Sequence, residues 1–151
     1  MKYFAYGMNT NLAQMSTRCP NARSLGAAEL PGFQLDFNGC ATITKKSNAT
    51  MQGVLWEITK ECEQALDILE GYPSFYYKKR VNVYQNGRKV KAMVYIMDHR
   101  ETPFAPSQGY YNCLVEGYTN HGMSIEQIDT AVNRAVSYYA LTDKDFYSTI
   151  S

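Results

Sequence analysis

Residues 76–97 read YYKKRVNVYQNGRKVKAMVYIM, two β-rich runs, Tyr76–Gln85 and Arg88–Met97, flanking Asn86-Gly87. Asn-Gly is the favoured pair for a two-residue type I′ turn, so the stretch predicts an antiparallel hairpin. Upstream, Thr59 is placed to cap a helix whose apolar face carries Cys62, Ala65, Leu66 and Leu69. Gly71 stands where a left-handed C-cap belongs, and Pro73 blocks continuation. Nearer the start, Lys2–Tyr6 is a short strand ending at Gly7, and Asn11 caps a short helix to Arg18, closed off by Pro20. Strand-like pieces follow at Leu25–Leu30, Phe33–Phe37, Ala41–Thr44 and Gln52–Ile58, with Pro31-Gly32 and Asn38-Gly39 read as turns. Beyond the hairpin an irregular stretch is expected to Gln108. Ser124-x-x-Gln127 then reads as a capping box opening a helix that buries Ile128, Val132, Ala135, Val136 and Tyr139. The polar tail from about Thr142 is expected to fray. Many strands with few helices define an α+β chain with a largely antiparallel or mixed sheet.

At 151 residues and 45% apolar composition, residues 1–151 are expected to form one domain with a core of its own. Fifteen basic against fourteen acidic residues leave a net charge of +1. No global field recruits nucleic acid or an acidic membrane, and the expected partner is small. The opening MKYFAYG has no long apolar stretch, so no secretory signal is expected and a cytoplasmic location follows. Cys19, Cys40, Cys62 and Cys113 are widely spaced and, with His99 and His121, form no zinc-ligand pattern. They read as reduced, mostly buried thiols. Asn48-Ala49-Thr50 is formally a glycosylation sequon and reads as a loop.

Four places hold candidate chemistry. Glu70 ends the Thr59 helix, where the negative end of the dipole disfavours it. Asp67 lies one turn back, and burial among aromatics would add to the upward push on the Glu70 pKa. On these grounds alone a solvated Glu at a frayed helix end is the commoner explanation. Tyr6-Gly7-Met8-Asn9 carries a strand through glycine into a helix start, leaving backbone N–H groups that suit an anion; an ordinary glycine turn is again the commoner explanation. No dinucleotide fingerprint or phosphate loop is present. Phe75–Arg80 interleaves aromatic and basic residues, but in a near-neutral chain it reads as a solvated strand face rather than a nucleic-acid site. Tyr110 is either a packing residue or a hydroxyl donor in a pocket.

Taken in order, these pieces resemble the gamma-glutamylcyclotransferase-like family. YFAYGMNTNL (residues 3–12) is similar to its opening Y-F-A-Y-G-S-N-L signature. The likeness continues through Arg18–Ala22, Gly32–Phe37, Ala41–Ile43, Gly53–Trp56, Leu66-Asp67 with Glu70-Gly71, Tyr77, Tyr110, Gly117 and Asn120-His121-Gly122. It implies a small mixed β-barrel with flanking helices, acting as a monomer or homodimer. In the family the glutamate matching Glu70 is the acid–base catalyst, and the loop matching Tyr6, Gly7, Met8 and Asn9 holds the gamma-glutamyl unit through main-chain N–H groups. Tyr110 and Tyr77 match pocket tyrosines, with Tyr76 a one-residue alternative to Tyr77. Met8 stands where the family usually has serine.

The reaction so implied is intramolecular aminolysis: the α-amine of a gamma-glutamyl group attacks its own side-chain carbonyl, closing 5-oxoproline and expelling an amine or amino acid. The nucleophile is part of the substrate, so no cofactor, metal or nucleotide is expected. The contrasting reading, prompted by Met8, is a non-catalytic module that binds a glutamyl-like ligand. If the loop binds through its main chain, Met8→Ser should change kcat/KM by about tenfold at most, roughly 1.4 kcal/mol in transition-state binding. Gly7→Val should be far worse, because a β-branched side chain resists positive φ and crowds an approaching ligand. Both variants are compared on one gamma-glutamyl substrate, with folding followed by circular dichroism. A hundredfold gain from Met8→Ser would favour the binding module.

Overall fold

The computed structural model describes residues 1–97 and 102–150, with side chains described as far as Tyr138. His99 and the Tyr139 side chain lie outside the described residues. The elements are β1 (Lys2–Ala5), a single 3₁₀ turn (Met8–Thr10), α1 (Leu12–Arg18), β2 (Arg23–Asn38), β3 (Cys40–Glu57), α2 (Lys60–Leu69), β4 (Tyr76–Gln85), β5 (Arg88–Met97), α3 (Gln108–Asn120) and α4 (Glu126–Ile150). The strands form a closed barrel in the order β1-β3-β2-β4-β5. Every pairing is antiparallel except the one that closes the ring, where Tyr3 of β1 meets Met93 of β5 in parallel. Closure removes the open edges a five-stranded sheet would otherwise present.

The β4–β5 hairpin has the register set by its turn, Gln85 opposite Arg88, with both Asn86 (φ 53°) and Gly87 (φ 76°) left-handed. Asn38-Gly39 is likewise a turn, joining β2 to β3. Pro31-Gly32 is not. It is an irregularity inside one long strand, so the predicted pieces at 25–30 and 33–37 fuse into β2. Opposite it, Pro31 pairs with Thr50 but Phe33 with Lys45, so residues 46–49 of β3 form a largely exposed excursion that holds Asn48 and Ala49 of the sequon, while its Thr50 is paired. Glycine at φ +81° absorbs the shift without ending the strand.

Helix ends follow their caps: the Asn11 side chain accepts from the Gln14 N–H, and that of Thr59 from the Cys62 N–H. α2 buries Cys62 and Leu66, while Ala65 and Leu69 are exposed. On α4, Ile128 and Ala135 are buried, Val132 half-buried and Val136 exposed. Its backbone stays helical through the tail to Ile150. The expected capping box is only half made. Ser124 Oγ accepts from the Glu126 N–H (3.1 Å), whereas the Gln127 amide bonds both the N–H and C=O of Gln52 in β3 (2.7 and 2.9 Å).

α3 begins at Gln108, where the expected irregular stretch ends, and covers residues for which the sequence predicts no element. Two glycines, Gly109 and Gly117, lower its helix propensity, yet Ser107 caps it and Leu114 and Tyr118 are fully buried beneath it. Cys19 and Cys62 are joined as a disulfide between the end of α1 and the first turn of α2, correcting the expectation of four reduced thiols. Cys40 and Cys113 are free.

A Cβ on Gly117 would lie 2.7 Å from the Asn11 backbone nitrogen and 2.8 Å from the Thr10 carbonyl carbon. Gly117→Ala should therefore destabilise the protein by about 1–3 kcal/mol, lowering Tm by roughly 2–10 °C. The crowding is against backbone, so it outweighs the gain of up to about 1 kcal/mol in helix propensity. An unchanged Tm in calorimetry would show that α3 can withdraw from residues 10–11 without cost.

Candidate functional site

Where β1 runs out of the barrel, residues 6–9 turn across the ends of α1 and α2 and wall a cavity of about 190 Å³. Tyr6, Gly7, Met8, Asn9, Glu70 and Tyr110 all line it, joined by Tyr3, Arg18, Cys40, Ala41, Leu69, Phe75, Tyr76 and Tyr95. Tyr77 does not. Successive strand residues face opposite sides, so Tyr76 points inward at 6% exposure while Tyr77, at 37%, lies in a separate groove with Phe33 and Lys79. The pocket tyrosine is therefore Tyr76.

Asn9 holds the wall together. It is buried; its Oδ1 accepts from Arg18 Nη1 (2.6 Å), and its Nδ2 donates to the Tyr3 hydroxyl (3.0 Å) and, at a long 3.5 Å, to Glu70 Oε1. Its carbonyl accepts from the Trp56 indole N–H (2.9 Å). Thr10 Oγ1 donates to the Gly7 carbonyl (2.7 Å), and the Thr10 and Asn11 N–H groups close onto Gly7 and Met8. The N–H groups of Met8 and Asn9 precede these first bonds of the turn, as the opening donors of any helix do. Gly7 has φ −114°, so the expected positive φ is absent. Glycine is favoured here for space: a Cβ would sit 3.2 Å from Ala41 Cβ and 3.3 Å from the Tyr110 hydroxyl.

Glu70 follows the last residue of α2, its N–H bonded to the Leu66 carbonyl and the chain reversed by Gly71 at φ +63°. Burial pushes its carboxyl up to about 7, against a smaller opposing pull from the Arg18 guanidinium. Asp67 has no part in this. Its carboxylate is taken up by Lys78 Nζ (3.0 Å) and the Tyr95 hydroxyl (2.6 Å), which neutralise the expected repulsion.

The cavity hydroxyls divide into two sets. Tyr6 donates to the Tyr95 carbonyl (2.5 Å), Tyr76 to the Ala41 carbonyl (2.7 Å), and Tyr95 to Asp67, so their protons are committed to the protein. Tyr110 instead accepts from the Ala41 N–H (2.9 Å), and Tyr3 accepts from Asn9. Among the bonds of the described residues neither gives up its own proton, so both are placed as donors. Burial holds all five hydroxyls above the usual phenol range, keeping them protonated. Tyr3, Arg18, Trp56 and Tyr95 are site residues that sequence reasoning did not single out, and Tyr76 entered it only as the alternative to Tyr77. Tyr76 was within reach of the alternation rule; nothing local marked the others.

A closed mixed barrel carrying a half-buried carboxyl and a loop that turns after a glycine on one cavity is the frame of a known enzyme family. The chain belongs to the family described as gamma-glutamyl cyclotransferase, AIG2-like, which matches residues 3–113. Human gamma-glutamylcyclotransferase is 30% identical over 138 residues, covering 82% of this chain and 73% of that protein, and the bovine protein of the same name matches to the same extent. A solved structure of a gamma-glutamyl cyclotransferase superposes with a TM-score of 0.76 at 27% identity, covering 87% of this chain and 85% of the other. Among the described residues no helix is long and apolar enough to cross a membrane.

The raised carboxyl has a cost that depends on pH. Between about 4.5, the ordinary carboxyl value, and about 7, the unfolded chain ionises Glu70 while the folded chain holds it protonated, so stability falls as pH rises through this window. At about 1.4 kcal/mol per pH unit the loss is at most about 3 kcal/mol. Glu70→Gln, which stays neutral, should match the wild type at pH 4.5 and exceed it in Tm at pH 8. Parallel thermal melts check this; equal Tm values at pH 8 would mean Glu70 ionises without penalty.

Proposed function

We propose that this chain cyclises gamma-glutamyl compounds to 5-oxoproline, releasing an amine or amino acid, with Glu70 carrying the protons. The observation that supports this most is one carboxyl, raised to about 7 by burial, on the wall of a small cavity rimmed by backbone and phenolic donors. Near neutral pH such a group exists in both forms. It can take the proton from the substrate ammonium as the amine attacks, then return it to the departing nitrogen.

The rest of the chemistry is geometric. Amine and carbonyl belong to one molecule, and holding them in ring-closing geometry gives an effective molarity on the order of 10⁵ M or more. As the carbonyl becomes tetrahedral, its oxygen gains negative charge. The first N–H groups of the 3₁₀ turn, at Met8 and Asn9, and the hydroxyls of Tyr3 and Tyr110 are the donors suited to it. Main-chain donors make the Met8 side chain a wall rather than a ligand, which accommodates methionine in place of serine. A pure binding module would gain nothing from a carboxyl destabilised by burial.

Incubating the protein with a panel of gamma-glutamyl dipeptides and gamma-glutamyl amines, then assaying 5-oxoproline, tests the reading and identifies the leaving group. Glu70→Gln should lower kcat by about 10²–10⁴-fold while leaving KM nearly unchanged. Retention of more than a tenth of wild-type kcat would remove Glu70 from proton transfer.

A further inference from the structure

Arg18 is a cation at the cavity with no carboxylate partner among the described residues. Lys2, Lys78 and Arg134 each have a carboxylate partner. Among the described residues no other lysine or arginine lines the cavity. Of its donors, Nη1 is spent on Asn9 Oδ1 at 2.6 Å, which fixes the guanidinium plane against the loop. The edge formed by Nε and Nη2 remains, and that edge matches the two oxygens of a carboxylate.

The position of this edge relative to Glu70 decides which carboxylate it takes. A gamma-glutamyl group carries its amine and its carboxylate on the same carbon. If Glu70 receives the amine's proton, the α-carboxylate lies one bond further on. A carboxylate on the leaving group would lie beyond the scissile nitrogen, further from the attacking amine. Asn9 touches both Arg18 and Glu70, so the two charged groups flank a single small volume. Resting on the function proposed above, we propose that Arg18 binds the α-carboxylate of the gamma-glutamyl group. The site thereby selects for a free α-carboxylate and asks for no anion on the departing amine. Neutralising the guanidinium also relieves its downward pull on the Glu70 carboxyl, so substrate binding strengthens the base.

The test compares wild type, Arg18→Gln and Arg18→Lys on a gamma-glutamyl dipeptide and on the same compound with its α-carboxylate converted to carboxamide. Wild type should prefer the acid by a hundredfold or more in kcat/KM. Arg18→Gln should lose about 10²–10³-fold on the acid, mostly in KM, and on the amide only the smaller part, about tenfold at most, that comes from losing the Asn9 bond. Arg18→Lys should recover part of the preference. An equal fall on both substrates would mean that Arg18 only props up Asn9, and would overturn the proposal. A second arm needs no turnover: calorimetric binding of 5-oxoproline against 2-pyrrolidinone, which lacks the carboxylate. Wild type should prefer 5-oxoproline and Arg18→Gln should not; equal affinities in wild type overturn the assignment. Should wild type release no 5-oxoproline from any gamma-glutamyl compound, the function reading fails and this binding arm alone decides the role of Arg18.

Discussion

The side-chain amide of Asn9 is the constraint on which the site depends. An arginine can only donate, so the Asn9 oxygen must face Arg18, and its nitrogen is thereby turned toward Tyr3 and Glu70. One planar group thus fixes a cation from α1, a phenol from β1 and a carboxyl from the end of α2. The residue is itself held by the Trp56 indole on its backbone carbonyl and by burial at 4% exposure. In such a setting an unpaired polar atom costs more than a made bond gains, so the group is committed to one orientation.

The barrel exists to bring these short-range contacts together. β1 and β3 pair Tyr3 with Trp56, and β4 delivers Tyr76. α3 then clamps the loop from behind: Tyr118 donates to the Tyr6 carbonyl (2.8 Å), and Asn11 Nδ2 bonds the Cys113 carbonyl (3.0 Å) and Glu116 Oε2 (2.9 Å). The disulfide joins Cys19, next to Arg18, to α2, the helix that ends at Glu70. The two charged groups of the cavity are therefore carried by helices that are covalently tied.

Local physics was enough for much of this. The Asn86-Gly87 hairpin, the caps at Asn11 and Thr59 and the left-handed Gly71 are each set by a few neighbouring residues. The mixed barrel and the loop at residues 6–9 were legible through the family resemblance, since strand order and closure depend on contacts far apart in sequence. Three features escaped for separate reasons. Pro31-Gly32 carries turn chemistry, but its strand partner accommodates the shift with an excursion of its own. α3 is held by tertiary burial against its own glycines, and one of them is there for packing on residues 10–11. Asp67 lies on the same helix as Glu70, yet its charge is consumed by Lys78 and Tyr95 from other strands. Tyr76 and Tyr77 are neighbours in sequence, but on a strand one residue is the difference between the cavity face and the outer face.

Trp56 is the single tryptophan of the sequence. Its N–H is bonded to the loop carbonyl at Asn9, and its ring meets His121 edge-on with centroids 6.2 Å apart. The chain consequently carries one indole fluorophore, seated at the back of its own cavity. Emission excited at 295 nm then comes from a single known position, and its wavelength and quenching follow the hydrogen bond that the loop makes. The protein has a built-in optical gauge of how that turn is held.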